Sequence, residues 1–395
     1  LFAGIGGFEL GLSAAGHHTR LLCEIDNAAC AVLTSRFPGV ACVPDVRELE
    51  RLPEDSDLLV GGFPCQDLSQ AGRTEGINGD ASGVVREVFR LLNNKRHRPR
   101  WVLLENVSFM LKLGKGRALE VILGELERLG YRWAYRTVNS LAFGVPQRRE
   151  RVYLLASLDA DPRTVLFADE AGEPAALKPD PSLAFGFYWT EGNRGLGTAV
   201  DAVPTLKGGS TVGIPSPPAV LMPDGRVVTP SIRDAERLQG FPADWSEPAV
   251  LVARSSRRWK LVGNAITVPI AEWIGRRLSD PGRYDDTLDP LHIVSGSWPA
   301  AAWNLGYGRH RAENVSAWPL AIPRPSLHEF LREPAPLSVK ATAGFLSRLR
   351  ASRLRRPDWF DKALAAHLAA EIKAIGASST GSRERPPRKR ASPVA

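Results

Sequence analysis

The sequence predicts an α/β protein: a doubly wound, mostly parallel, Rossmann-like sheet, followed by a small loop-rich domain and a C-terminal extension. Three observations predict it. Over residues 1–157 short β-rich runs alternate with stretches of helical periodicity. The first run enters a glycine-rich turn, Phe2-Ala3-Gly4-Ile5-Gly6-Gly7. The next run closes on Glu24, about 20 positions later, the spacing at which a carboxylate reaches the ribose of a bound nucleoside.

In chain order the expected strands are 1–2 (cut short), 20–25, 40–43, 58–60, 101–104, 132–139 and 151–156, with helices at 27–37, 83–93 and 116–129. From 157 to 228 the pattern dissolves into Pro, Gly and short β-like pieces, with Lys207-Gly208-Gly209 and Pro215-Ser216-Pro217-Pro218 as breakers. Helices return at 230–239 and 265–278. In the second, Ile266, Val268, Ile270, Trp273, Ile274 and Leu278 form the apolar face and leave Glu272, Arg276 and Arg277 outward. A Trp- and Pro-rich stretch precedes a helical segment at 336–375, and the tail, 377–395, reads as disordered.

The 395 residues suffice for two or three folding units with a sizeable core. No run approaches about 18 apolar residues, which excludes a membrane-spanning helix. Cys23, Cys30, Cys42 and Cys65 lack metal-ligand spacing, which argues against a zinc site and a disulfide scaffold and makes a reducing cytoplasm the expected location. Residue 1 is Leu and sits inside a strand, so the natural start is expected to be missing. The net charge of +8 is concentrated in residues 341–395, which hold 12 Lys and Arg against 4 Asp and Glu. A basic extension suits a polyanion through counterion release, and equally suits a solvated end.

Four further features carry chemistry, each with a structural alternative. The glycine turn with Glu24 reads as a nucleoside-cofactor site or as a tight turn with helix packing; Glu9 stands where a third glycine would complete a dinucleotide fingerprint. Asp45, after the third strand, suits an adenine amino group or a helix N-cap. In Phe63-Pro64-Cys65-Gln66, Pro64 fixes the approach of a thiol at the carboxyl edge of the sheet, where ligands of such folds collect; Cys23, Cys30 and Cys42 read as small buried hydrophobes. Glu105-Asn106-Val107 offers a carboxyl that partial burial holds protonated, or a helix cap. In Gln147-Arg148-Arg149-Glu150-Arg151, alternation points Arg149 and Arg151 to one side, either toward carbonyls or phosphates or into a surface cluster with Glu150.

Taken in order, Phe-x-Gly-x-Gly-Gly, Glu24, Asp45, Phe63-Pro64-Cys65-Gln66, Glu105-Asn106-Val107, Gln147-Arg148-Arg149-x-Arg151, Arg233 to Pro242 with Leu238-Gln239-Gly240-Phe241-Pro242, and Gly263-Asn264-Ala265 resemble the DNA (cytosine-5) methyltransferases of bacterial or phage type over residues 1–280. The resemblance implies the S-adenosyl-L-methionine-dependent methyltransferase form of the sheet. It implies a methyl transfer to C5 of a flipped-out cytosine in a specific double-stranded DNA sequence, by way of a Cys65–C6 bond. Glu105 would meet N3 and the exocyclic amine, Arg151 would hold O2, and Arg149 would support the site. Phe2, Gly4, Gly6, Gly7, Glu24, Asp45, Pro64 and Asn264 match the cofactor pocket, and Ile25 stands where a residue packs on adenine.

The same resemblance implies a division into a catalytic unit at 1–157, a target-recognition region at 158–228 and a return to the catalytic unit at 229–280. An accessory extension at 281–376 and a basic tail follow. Residues 66–80 would form a mobile loop over DNA. Trp298, Trp303, Trp318 and Trp359 are expected to pack under a small helical cap, with base stacking as the alternative. No metal is implied, a monomer is expected, and a cognate restriction endonuclease is a candidate partner. Two alternatives keep the fold: a transfer-RNA cytosine-5 methyltransferase, and an inactive DNA-binding protein. A nicotinamide-dependent oxidoreductase is disfavoured by the missing third glycine.

Overall fold

A computed structural model describes residues 1–63, 83–94, 96–191, 195–209, 215–291 and 297–380. Its first part runs α1 (Gly7–Ala14), β1 (Leu21–Cys23), α2 (Asn27–Arg36), β2 (Ala41–Val43), β3 (Leu58–Gly62), α3 (Gly83–Leu92), β4 (Trp101–Val107), α4 (Arg117–Arg128), β5 (Arg132–Asn139), β6 (Gln147–Arg148) and β7 (Glu150–Ser157). Strands β3 and β4 pair in parallel, and β7 lies antiparallel between β4 and β5, so β3, β4 and β5 share one direction. Strands β1 and β2 form a separate parallel pair. Residues 1–3 join the two: Leu1 N donates to Val60 O and Ala3 N to Cys23 O, yet Phe2 sits at φ 55, which prevents the extended strand expected there.

Helices cover both faces of the sheet. On one face Leu119, Ile122, Leu123 and Leu126 of α4 recur at helical spacing and bury against Val102, Leu104, Trp133 and Tyr135. On the other, Phe8 and Leu12 of α1 join Leu103, Ala134, Tyr153 and Leu155. Helix α2 starts where the Asp26 carboxylate accepts from the Ala28 and Ala29 amides.

The chain continues through α5 (Arg163–Leu166), β8 (Phe185–Phe187), β9 (Ala199–Val200), β10 (Val203–Pro204), β11 (Ala219–Leu221) and β12 (Val227–Thr229). There follow α6 (Ile232–Leu238), α7 (Arg257–Asn264), α8 (Val268–Ser279), β13 (Ala301–Asn304), β14 (Arg309–Arg311), α9 (Leu327–Phe330), β15 (Ala335–Pro336), α10 (Val339–Ala351) and α11 (Asp358–Thr380). A second sheet has the order β15-β12-β11-β8-β9, and β10 pairs with β6.

Several expectations need correction. Strand β4 extends through Val107, so Glu105-Asn106-Val107 is strand, and no side chain of it caps the 3₁₀ turn Ser108–Leu111 that follows. Helix α8 begins at Val268 rather than 265, and α7 before it had no recognised signal. The helix expected at 336–375 is two, separated by a segment ending in Pro357, which offers no backbone donor and restrains the residue before it. Helix α11 runs to Thr380, into residues expected to be disordered; residues 381–395 lie outside the described residues.

The extension at 281–376 is divided between the two sheets. Strand β13 pairs antiparallel with β5 and carries β14 at the edge of the central sheet. There Trp298 meets Trp133 and Tyr135 edge-on and donates to Gly116 O at 3.0 Å, while Trp303 stacks on His310 at 4.1 Å. Trp318 packs partly buried on the same core. Only Trp359 lies in the helical cap, edge-on to Phe185 and Phe360.

Helices α1 and α8 cross closely because Gly11 has no side chain: a Cβ there would stand 2.6 Å from Val268 O and 2.7 Å from Ala271 Cβ. Gly11→Ala should destabilise the protein by about 1–3 kcal/mol through overpacking, read as a lower urea midpoint with an unchanged denaturant slope.

Candidate active site

The turn after residues 1–3 and the ends of β1 and β2 enclose a cavity of about 540 Å³, in the usual range of roughly 300–1,000 Å³ for ligand pockets. Phe2, Gly4, Glu24, Ile25, Asp45 and Asn264 line it. Gly4 adopts φ +55, and a Cβ built on it would meet nothing within 4 Å, so the turn leaves open space. Its amide donates to Glu24 Oε2 at 2.7 Å, and the Asp26 amide donates to Oε1 at 2.9 Å. The carboxylate is thereby aimed and keeps lone pairs for a ligand. Ile25, 67% exposed, offers an apolar surface at the rim.

Asp45 is first a cap: it accepts from the Arg47 amide at 2.9 Å over the short 3₁₀ turn Val46–Glu48. The Arg47 guanidinium hydrogen-bonds the same carboxylate and holds its pKa below the usual range. Gly6 and Gly7 are not among the residues that line the cavity. A Cβ on Gly6 would stand 2.4 Å from the Phe37 ring, and one on Gly7 2.8 Å from Ile266 Cγ1, so both serve close packing of α1. Sequence reasoning missed Asp26, Arg47, Glu87 and Leu261 in the lining. Asp26 was legible as the N-cap beside Glu24; Leu261 lies on the unrecognised α7.

The second cluster sits across β3, β4 and β7. Gly62 is in register with Glu105, and Asn106 Nδ2 donates to Phe63 O at 3.0 Å. The backbone that enters the Phe-Pro-Cys-Gln motif is thus tied beside Glu105. Pro64, Cys65 and the loop at 66–80 lie outside the described residues.

Glu105 is 8% exposed, with Oε1 3.1 Å from Arg151 Nε but off a hydrogen-bonding direction. A Cβ on Gly62 would be 3.4 Å from Glu105 Oε2. Tyr153, its cross-strand neighbour, is fully buried. Burial pushes the Glu105 pKa up, and the charges of Arg151 and Arg149 only partly oppose it.

The two arginines divide the work. Arg151 is half-buried, beside Glu105. Arg149, 2% exposed, donates to Leu206 O at 3.2 Å, Gly263 O at 3.3 Å and Ala265 O at 2.7 Å, and burial lowers its pKa to about 9. Gln147 extends this network, donating to Leu238 O at 2.9 Å and Gln239 Oε1 at 3.1 Å while accepting from Leu206 N at 2.9 Å. Gln239 in turn donates to Val262 O and Ala265 O, both at 3.0 Å. Three sequence motifs therefore meet in one buried hydrogen-bonded hub. Gly208 abuts it, since a Cβ there would be 2.6 Å from Asn264 Oδ1.

Cys23 is buried, with Cys30 and Cys42 half-buried. Burial raises Cys23 to about 11 and Cys30 to about 12, which keeps both as thiols. Among the described residues no helix is long and apolar enough to cross a membrane.

The site has a cavity with nucleoside-type anchors and, separately, a carboxyl–arginine cluster, the outline of a group-transferring α/β enzyme with two binding regions. The model of the family described as C-5 cytosine-specific DNA methylase matches residues 1–179. The type II methyltransferase M2.BsuMI of Bacillus subtilis (strain 168) is 49% identical over 361 residues, 88% of this chain and 92% of that protein. M.NlaX of Neisseria lactamica is 30% identical over 308 residues, 70% of this chain and 94% of its own length. Among solved structures, the Entamoeba histolytica methyltransferase EhMeth aligns with a TM-score of 0.50 at 14% identity, covering 71% of this chain and 96% of that one, a likeness of fold. The chain belongs to the C-5 cytosine-specific DNA methylases and is a methyltransferase of the type II restriction–modification kind.

The raised Glu105 pKa has a linkage consequence. Stability from a neutral buried carboxyl is fully present below the unfolded value of about 4.3 and is lost as pH rises through the higher folded value. In Glu105→Gln this loss is absent, so the stability of the variant relative to the native protein should increase with pH across that window, measured by urea unfolding at successive pH values.

Proposed function

We propose that the enzyme methylates C5 of a cytosine flipped out of double-stranded DNA, using S-adenosyl-L-methionine and a transient Cys65–C6 bond. The observation that carries this reading is the register of Gly62 with Glu105, reinforced by the Asn106–Phe63 hydrogen bond, which starts the Cys65 loop from beside a carboxyl of raised pKa. The donor fits the cavity: Glu24 suits ribose hydroxyls, Ile25 an adenine face, Asp45 and Asn264 polar edges, and the open backbone at Gly4 close approach. S-adenosyl-L-methionine supplies, when bound, an electrophilic methyl group on a sulfonium.

The residues act on the base. C5 of cytosine is a weak nucleophile, so the Cys65 thiolate adds to C6 and its electron pair is pushed toward N3 and C5. Glu105, whose pKa burial raises, donates a proton to N3, and Arg151 hydrogen-bonds O2. C5, thereby made nucleophilic, would take the methyl group supplied by the donor, which Phe2, Gly4, Glu24 and Asn264 would hold and which would leave as a thioether. Removal of the C5 proton by a base expels the Cys65 thiolate from C6, and N3 returns its proton to Glu105, which restores the neutral ring. C6 is inaccessible within a duplex, so the base must leave the stack. Arg149 touches none of the reacting atoms and acts as a positioning residue. Residues 158–228 would read the sequence through the major groove, one subunit suffices for one flipped base, and a restriction endonuclease of matching specificity is the implied partner.

Incubation with the methyl donor and duplexes containing 5-fluorocytosine should leave a covalent protein–DNA adduct, because fluorine blocks the final elimination. Cys65→Ser should form none, and bisulfite sequencing of host DNA should report the methylated site. An adduct with Cys65→Ser would refute the covalent role. Glu24→Ala should raise the Kd for S-adenosyl-L-methionine about 10- to 100-fold, as expected for loss of hydrogen bonds to a charged group, measured by calorimetry.

A further inference from the structure

We infer that the C-terminal helix pair is a working part of the DNA-binding module, and that Arg350, Arg353 and Arg355 hold phosphates of the duplex beside the target cytosine. The inference rests on the DNA reading above and goes beyond it by assigning a surface outside the catalytic unit and the 158–228 region.

The pair is built into the small sheet. Strand β15 pairs with β12, and the Val227 amide donates to His367 Nδ1 at 3.3 Å. Phe345 stacks on Phe187 at 4.9 Å, and Phe360 packs edge-on against Phe185 and Phe187 at 5.1 and 5.0 Å. Removing α10 and α11 would leave this core open to water, so whatever the sheet does, it does with these helices attached.

The last turn of α10 is tied toward the catalytic strands. Arg348 donates to Glu191 O at 3.0 Å and Trp189 O at 2.8 Å. From the same loop, Tyr188 donates to Thr205 O at 2.6 Å, and the Thr205 hydroxyl donates to Arg148 O at 2.9 Å, within the Gln-Arg-Arg-x-Arg motif. The turn that follows Arg348 is therefore held a short chain of contacts from Arg149 and Arg151.

That turn is uniformly basic. Arg348, Arg350, Arg353, Arg355 and Arg356 fall within residues 348–356, and no acidic residue lies between Glu333 and Asp358. Arg356 is used by Asp361 at 2.7 Å, and Arg348 by the carbonyls above. Arg350, Arg353 and Arg355 are exposed and have no ion-pair partner among the described residues. Exposed guanidinium groups without acidic partners match phosphate in charge and hydrogen-bonding geometry.

The test compares the full chain with R350Q/R353Q/R355Q and with a control of equal charge loss, R51Q/R100Q/R132Q. Arg100 and Arg132 border the starts of β4 and β5, at the far end of those strands from Glu105. Thermal unfolding and S-adenosyl-L-methionine affinity establish that each variant is folded. Duplex binding is then measured from 50 to 300 mM salt. The patch variant should flatten the slope of log affinity against log salt by up to about 2.7, at about 0.9 per phosphate contact, and weaken binding about tenfold or more at low salt, while the control follows the native protein. A patch variant with native slope, or a control that flattens equally, overturns the assignment and leaves the proposed function standing where the native protein still methylates DNA. A native protein that neither binds nor methylates DNA overturns both.

Discussion

The arrangement of the site depends on the burial of one cation. Taking the Arg149 guanidinium out of water is expensive, and the expense is offset here through its two terminal nitrogens, while Nε has no partner among the described residues. Here the acceptors are carbonyls of Leu206, Gly263 and Ala265, brought from two distant stretches of chain. The small-sheet region and the loop between α7 and α8 must therefore both arrive for Arg149 to be satisfied, and with them comes Asn264 at the wall of the cavity. Gln147 makes the same demand through Leu206, Leu238 and Gln239. A rigid polar hub of this kind registers the two binding regions against each other, a task apolar packing performs with less directional specificity.

Around Glu105 two effects compete. Desolvation favours the neutral acid, and the guanidinium groups of Arg151 and Arg149 favour the carboxylate; desolvation is the larger. The off-axis placement of Arg151 against Glu105 is consistent with that order, because a well-aligned bidentate pair would hold the acid ionised. Small changes in strand register would alter the balance, and Gly62 and Asn106 both act on that register from neighbouring positions.

Much of this was legible in the residues, for identifiable reasons. Alternation marked β1 to β5 and β7, but not the two-residue β6, since a buried two-faced sheet leaves long apolar runs between helical periods, as Trp101 to Leu104 and Val152 to Ala156 show. Strand β4 was placed correctly and ended too early because Glu105 and Asn106 are polar yet buried, the local inconsistency expected at a functional position. A glycine needed for tight packing and one needed for a ligand look alike in sequence, and the packing of Gly6 and Gly7 shows only in their neighbours Phe37 and Ile266. Helix α7 was missed since Arg257, Arg258 and Lys260 obscure its short apolar stripe. The division of the C-terminal part between two sheets follows from pairings across long sequence separations, such as β13 with β5, which no local pattern encodes.

That last feature bears on when the molecule becomes competent during its synthesis. The central sheet lacks its partner for β5 until residues 301–304 have left the ribosome, and the small sheet lacks the aromatic cover of Phe345 and Phe360 until later still. A nascent chain that stopped before residue 301 would expose apolar strands at two edges at once; β13 closes the first, and the helices that carry Phe345 and Phe360 close the second. Both sheets thereby depend on residues that follow the catalytic strands by well over a hundred positions, and until those arrive their apolar edges stay open to pairing with other chains.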